Sequence, residues 1–116
     1  MLRRLGEGGS TFALEVLVDR EAFVTRGARR QRPRLNELRR AGAQVYLCRG
    51  TPPLGAFHVK AAVLDRRVCF TGSANFTEKS LDNCELTMRI VGPQVTDILE
   101  TVGAARGRAM LWDGSL

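Results

Sequence analysis

Residues 57–91 read FHVKAAVLDRRVCFTGSANFTEKSLDNCELTMRIV, and the spacing of the polar positions in this stretch decides how the chain is read. His58 and Lys60 stand two apart, so on an extended segment they project side by side and can address one small anion together. Asp65 follows five residues later, in an Asp65-Arg66 pair that predicts a tight hairpin between a strand from Phe57 to Leu64 and one from Arg67 to Thr71. Gly72, Ser73 and Asn75 come directly after that hairpin, followed by a short helical turn expected near Thr77 to Leu81, with Ser80 and Asn83 close behind. From Cys84 to Val91 the residues alternate as in a half-buried strand. Cys84, Leu86, Met88 and Ile90 share one face, and Glu85, Thr87 and Arg89 share the other.

The residue types suit phosphorus chemistry. A neutral imidazole can attack a phosphodiester, displace an alcohol and hold the phosphoryl group as a phosphoramidate. Negative charge then builds on the non-bridging oxygens, where the compact ammonium of Lys60 would stabilise it. Ser73 and Asn75, again two apart near an expected helix start, offer further groups for phosphate oxygens. The positive charge is supplied by the chain, so neither metal nor cofactor is expected.

The order H-x-K-x4-D-x6-G-S-x-N, carried by His58, Lys60, Asp65, Gly72, Ser73 and Asn75, resembles the HKD motif of the phospholipase D superfamily. The resemblance implies an α/β fold, a mixed sheet flanked by helices, and cleavage of phosphodiesters through a covalent phosphohistidine. It casts His58, Lys60, Asn75 and Glu85 as the catalytic set, with Glu85 hydrogen-bonding the nucleophilic imidazole. Asp65 takes the place of the motif aspartate, but strand parity puts it off the His58 face, so it is expected to organise the turn, as Gly72 is expected to serve structure. The family uses two copies of the motif, one histidine as nucleophile and one as acid and base. His58 is the only histidine here. The resemblance therefore implies a symmetric homodimer with the site on its two-fold axis, as in single-motif endonucleases and mitochondrial cardiolipin-hydrolase-like members. Such members carry a further strand and helix ahead of the first strand found here, so an N-terminally shortened form of the fold is expected.

Upstream of the motif, residues 1–10 read as a loose, glycine-rich leader. A buried strand is expected from Thr11 to Asp19, with Phe12, Leu14, Val16 and Val18 on one parity. Seven arginines fall between Arg26 and Arg40, where Pro33 can open a helix with Leu35 and Leu38 as its apolar face and Gly42 at its end. That charge run is either a solvated face or a groove for an anionic substrate. Ala43 to Cys48 predicts a second strand, and the paired prolines of Arg49 to Gly55 a loop that delivers the chain to His58. Downstream, Pro93 opens a helix whose Val95, Ile98, Leu99 and Val102 follow helical spacing, while the tail to Leu116 carries no clear pattern.

With 116 residues and 44% hydrophobic content, the chain suits a single domain, residues 1–116, with one core. The odd count of Cys48, Cys69 and Cys84, without paired spacing, argues against a metal site or disulfide framework, and Cys69 and Cys84 are expected as buried free thiols. No apolar run reaches the roughly 20 residues of a membrane span, and the opening lacks the apolar stretch of a signal peptide, which favours an intracellular setting. The net charge of +6, almost all from arginine, suits nucleic acid or an anionic phospholipid surface. Low aromatic content and the lack of a basic amphipathic helix tell against base-stacking platforms and membrane docking respectively, and nucleic acid is placed first. The alternatives to an enzyme are a non-catalytic module that grips phosphate, and a structural part of a longer chain.

Overall fold

The computed structural model describes residues 13–25, 30–51, 55–76 and 78–115. The expected leader, Phe12, Arg26, Gly27, Arg29, the Pro52-Pro53 pair and Thr77 lie outside the described residues. The elements run β1 (Glu15–Asp19), α1 (Arg20–Thr25), α2 (Gln31–Arg40), β2 (Gln44–Cys48), β3 (Ala61–Leu64), β4 (Val68–Gly72), a 3-10 turn (Glu78–Asp82), β5 (Thr87–Val91), α3 (Gln94–Gly107) and β6 (Met110–Leu111). This is the expected α/β class, with its strands in two three-stranded sheets. The chain divides into two compact units, Met1–Phe57 with Ala105–Leu116, and His58–Ala104.

The first unit is built on the mixed sheet β1-β2-β6, in which β1 and β2 are parallel and β6 runs antiparallel to β2. Its core is Phe23, Leu35, Val45, Leu47 and Trp112, with Val16, Val18, Val24 and Leu38 packed against them. Phe23 meets Trp112 edge to face at a centroid distance of 5.1 Å, the geometry that aromatic quadrupoles favour. α2 forms where the arginine run predicted it. Pro33 is its third residue, where the backbone N–H it lacks would have had no partner within the helix. Gly42 ends it with φ 112°, and the bonds Gly42 N–H to Arg39 O and Ala43 N–H to Leu38 O close a Schellman motif. α1 was not expected. Asp19 caps it through a bond from the Ala22 N–H, and Phe23 carries it into the core. β6 and the buried Trp112 give the patternless tail a definite place.

The second unit is an antiparallel meander, β3-β4-β5, with Ala61 opposite Thr71 and Gly72 opposite Thr87. The hairpin turns at Asp65 and Arg66, both left-handed at φ 53° and 58°, and the Arg67 N–H closes it on Leu64 O. Aspartate tolerates that conformation better than most residues. In α3, Val95 is buried and Ile98, Leu99 and Val102 are half-buried, as their spacing predicted.

β1, β3 and β5 all begin later than expected: β1 starts at Glu15, with Ala13 and Leu14 ahead of it outside the strand. β3 begins at Ala61, not Phe57, because the carbonyl of Lys60 is taken by the Thr71 hydroxyl at 2.8 Å instead of a ladder N–H. β5 begins at Thr87, so Cys84 and Leu86 fall in the connection before it. Cys84 is consequently exposed where a buried thiol was expected, and Leu86 and Met88 are also exposed. Among the described residues no helix is long and apolar enough to cross a membrane.

The thiols differ sharply in environment. Burial, and then the Asp19 carboxylate, push Cys48 up from 9.0 to about 11, against a smaller opposite pull from Arg108. A thiol reagent at neutral pH is therefore expected to label Cys84 quickly and to reach Cys48 and Cys69 only on unfolding. The unfolded chain gives up the Cys48 proton above pH 9.0, whereas the native chain keeps it until about pH 11. This contribution to stability is thus complete below the lower value and lost as the pH rises through the higher one. Urea midpoints compared at about pH 8 and about pH 10.5 should fall, and a Cys48→Ala variant should show a smaller fall.

Candidate active site

The meander explains why the motif residues meet. In an antiparallel three-strand sheet the start of β3, the end of β4 and the start of β5 lie at one end, as the pairs Ala61–Thr71 and Gly72–Thr87 require. His58 and Lys60 precede β3, Ser73 and Asn75 follow β4, and Glu85 precedes β5, so these five share that end. Asp65 sits at the opposite end, five residue steps and so roughly 16 Å along an extended chain from Lys60.

Gly72 is required by the close approach of β4 and β5. A Cβ built on it would stand 2.0 Å from Leu86 O and 2.8 Å from Thr87 Cα, contacts that no side chain tolerates. The approach lets Ser73 bridge the strands. Its N–H donates to Leu86 O at 3.0 Å, and its hydroxyl accepts from the Leu86 N–H at 3.1 Å.

The Lys60 ammonium lies 3.1 Å from both Nδ1 and Nε2 of His58, and 3.4 Å from His58 O. The two ring nitrogens point outward in diverging directions in the ring plane, and in the neutral ring only one of them is an acceptor, so an ammonium equidistant from both is aligned with neither. This places a cation against the ring while committing neither nitrogen to a strong bond. Imidazole and ammonium can therefore turn to a phosphate together.

Glu85 is half-buried and occupied from two sides. Oε2 accepts a short hydrogen bond from the Ser73 hydroxyl, and Oε1 accepts from Asn83 Nδ2 at 3.3 Å. Among the described residues no hydrogen bond joins Glu85 to His58. The Ser73 donor is thus spent on the carboxylate, and what remains for an anion is the exposed side chain of Asn75, whose amide bonds no other described residue. The backbone N–H of Asn75 donates to the Ser80 hydroxyl at 3.1 Å, which orients the segment behind it.

Sequence reasoning assigned no role to Thr71, Ser80 or Asn83, which hold Lys60, Asn75 and Glu85 respectively. Thr71 was legible in principle, because once the hairpin is registered it falls opposite the residue after Lys60. Ser80 and Asn83 carry no such signal, since the turn that brings them into place follows no strand register. Among the described residues no three His, Cys, Asp or Glu side chains gather as a metal site would require.

A family model described as the cardiolipin synthase PLD-like domain matches residues 11–102. Among solved structures the chain is similar to a phospholipase D family member, Nuc from Salmonella typhimurium, with a TM-score of 0.70 and 19% sequence identity. The likeness covers 84% of this chain and 62% of the Nuc chain, so this chain spans less than two thirds of that length. At this identity the likeness is one of fold. No curated protein sequence matches.

Proposed function

The chain belongs to the phospholipase D superfamily, and from that premise we propose that it hydrolyses phosphodiesters without a metal ion, through a phosphohistidine on His58. The observation that carries this reading is the gathering of His58, Lys60, Ser73, Asn75 and Glu85 at one end of the meander. A ring nitrogen of His58 attacks phosphorus, a P–N bond forms, and the P–O bond to the leaving alcohol breaks. Lys60 and Asn75 bind the non-bridging oxygens as their charge grows. The alkoxide must receive a proton, and water must later lose one as it opens the P–N bond. With one histidine per chain, both transfers fall to His58 of a second copy, brought across a two-fold axis. The net charge of +6 suits a nucleic acid or an anionic phospholipid as substrate.

The bonds that occupy both oxygens of Glu85 favour a second reading, a module that grips phosphate without cleaving it. A chromogenic phosphodiester assayed in excess chelator, across a protein dilution series, separates the two. The enzyme reading expects turnover that survives the chelator and falls faster than linearly on dilution, as a dimer-dependent site must. Absence of turnover at every concentration, with salt-sensitive binding that His58→Asn leaves intact, would establish the binding module instead. Duplex DNA, single-stranded RNA and cardiolipin vesicles offered in parallel decide the substrate.

A further inference from the structure

The residue in front of His58 is held by a carboxylate 38 positions away in the chain. Asp19, the last residue of β1, uses its two oxygens separately. Oδ2 accepts the Ala22 N–H at 3.0 Å and so caps α1, and Oδ1 accepts the Phe57 N–H at 3.0 Å. Residues 55–60 belong to no strand, so no ladder fixes them. They are pinned at separate points instead. Gly50 N–H bonds Gly55 O at 3.0 Å and Gly55 N–H bonds Thr51 O at 2.9 Å. Asp19 then holds Phe57, and the Thr71 hydroxyl holds the Lys60 carbonyl at 2.8 Å. His58 lies between the last two anchors.

We propose that Asp19 is a positioning residue for the phosphodiester reaction, fixing the backbone at Phe57 and with it the direction in which His58 presents its ring. The inference rests on the phosphodiesterase reading above. A carboxylate suits the task because it alone offers two divergent acceptor oxygens and no donor, and its charge strengthens both bonds. Asparagine would turn an NH2 group toward one of the two N–H donors. Serine caps a helix well but has one short hydroxyl, too short to serve Phe57 as well. The two tasks of Asp19 can therefore be separated by substitution. In-line attack tolerates little error, and a misplacement of about 1 Å can cost about 10²-fold in rate.

The experiment compares wild type, Asp19→Ser and Asp19→Ala by urea midpoint, by kcat and KM on a chromogenic phosphodiester, and by NMR hydrogen exchange of the Phe57 amide. Asp19→Ser, which keeps the helix cap, should lower the midpoint less than Asp19→Ala, which loses both bonds. Both should speed Phe57 exchange at least about tenfold and lower kcat by about 10²-fold, with KM little changed. If Asp19→Ser keeps the wild-type kcat, Asp19 is merely a helix cap and the inference is wrong. Should the wild type show no turnover, the phosphodiesterase reading fails separately. The exchange data then decide: unchanged Phe57 exchange in Asp19→Ser overturns the anchoring, and faster exchange with a displaced His58 ring resonance upholds it.

Discussion

Replacing His58 with asparagine is expected to abolish phosphodiester turnover, by about four orders of magnitude or more, while leaving the fold unchanged. His58 is exposed, and its only hydrogen-bonding neighbour among the described residues is Lys60, so asparagine removes no buried packing. What it removes is the nitrogen that bonds phosphorus and, in a two-fold site, the group that moves protons for the partner copy. Circular dichroism and the urea midpoint should match wild type, and trapping with labelled substrate should show no acid-labile phosphoenzyme. A mixing experiment extends the test. If copies exchange freely and each site needs two histidines, an equal mixture of wild type and His58→Asn should retain about a quarter of the wild-type activity, against about half for independent sites. Persistent turnover in His58→Asn would end the phosphohistidine mechanism.

The second large effect is on stability. Gly72→Ala is expected to cost about 3–5 kcal/mol or to prevent folding. The added methyl would lie 2.0 Å from Leu86 O, a backbone atom that already accepts the Ser73 N–H at 3.0 Å. Relief requires β4 and β5 to separate, which breaks the Ser73–Leu86 bonds and the Ser73–Glu85 contact that brace the site. The control is Gly103→Ala in α3, where the new methyl would meet nothing within 4 Å. That change should be neutral or stabilising by up to about 1 kcal/mol, because alanine suits a helix interior and restricts the unfolded chain. The denaturant midpoint should therefore fall steeply in Gly72→Ala and hold or rise in Gly103→Ala, and a Gly72→Ala protein as stable as wild type would refute the close approach.

Some features were legible because they are local. Asp65 stands where a two-residue turn needs a tolerant side chain, Gly42 where a helix needs a left-handed exit, and Val95, Ile98, Leu99 and Val102 at helical spacing. Others were hidden for a definite reason. A strand's length depends on whether its neighbour supplies ladder partners, and alternation continues past that point in the sequence. Thus Phe57 to Lys60 alternates like a strand but is held by side chains, and Cys84 to Leu86 does the same before β5. α1 is six residues long and rests on one capping carboxylate, and β6 has two residues, too few for any periodicity.

The order and spacing of His58, Lys60, Asp65, Gly72, Ser73 and Asn75 were enough to suggest the family by resemblance, which in turn implied the α/β class, because each requirement there concerns residues near in sequence. The family-model match over residues 11–102 then showed the membership. The tertiary structure decided which of them touch. It gave Glu85 to Ser73 and Asn83, set Lys60 against the His58 ring, and tied Phe57 to Asp19. Those pairings depend on strand register and on donors left over when a ladder ends, and neither is written in the local pattern of residues.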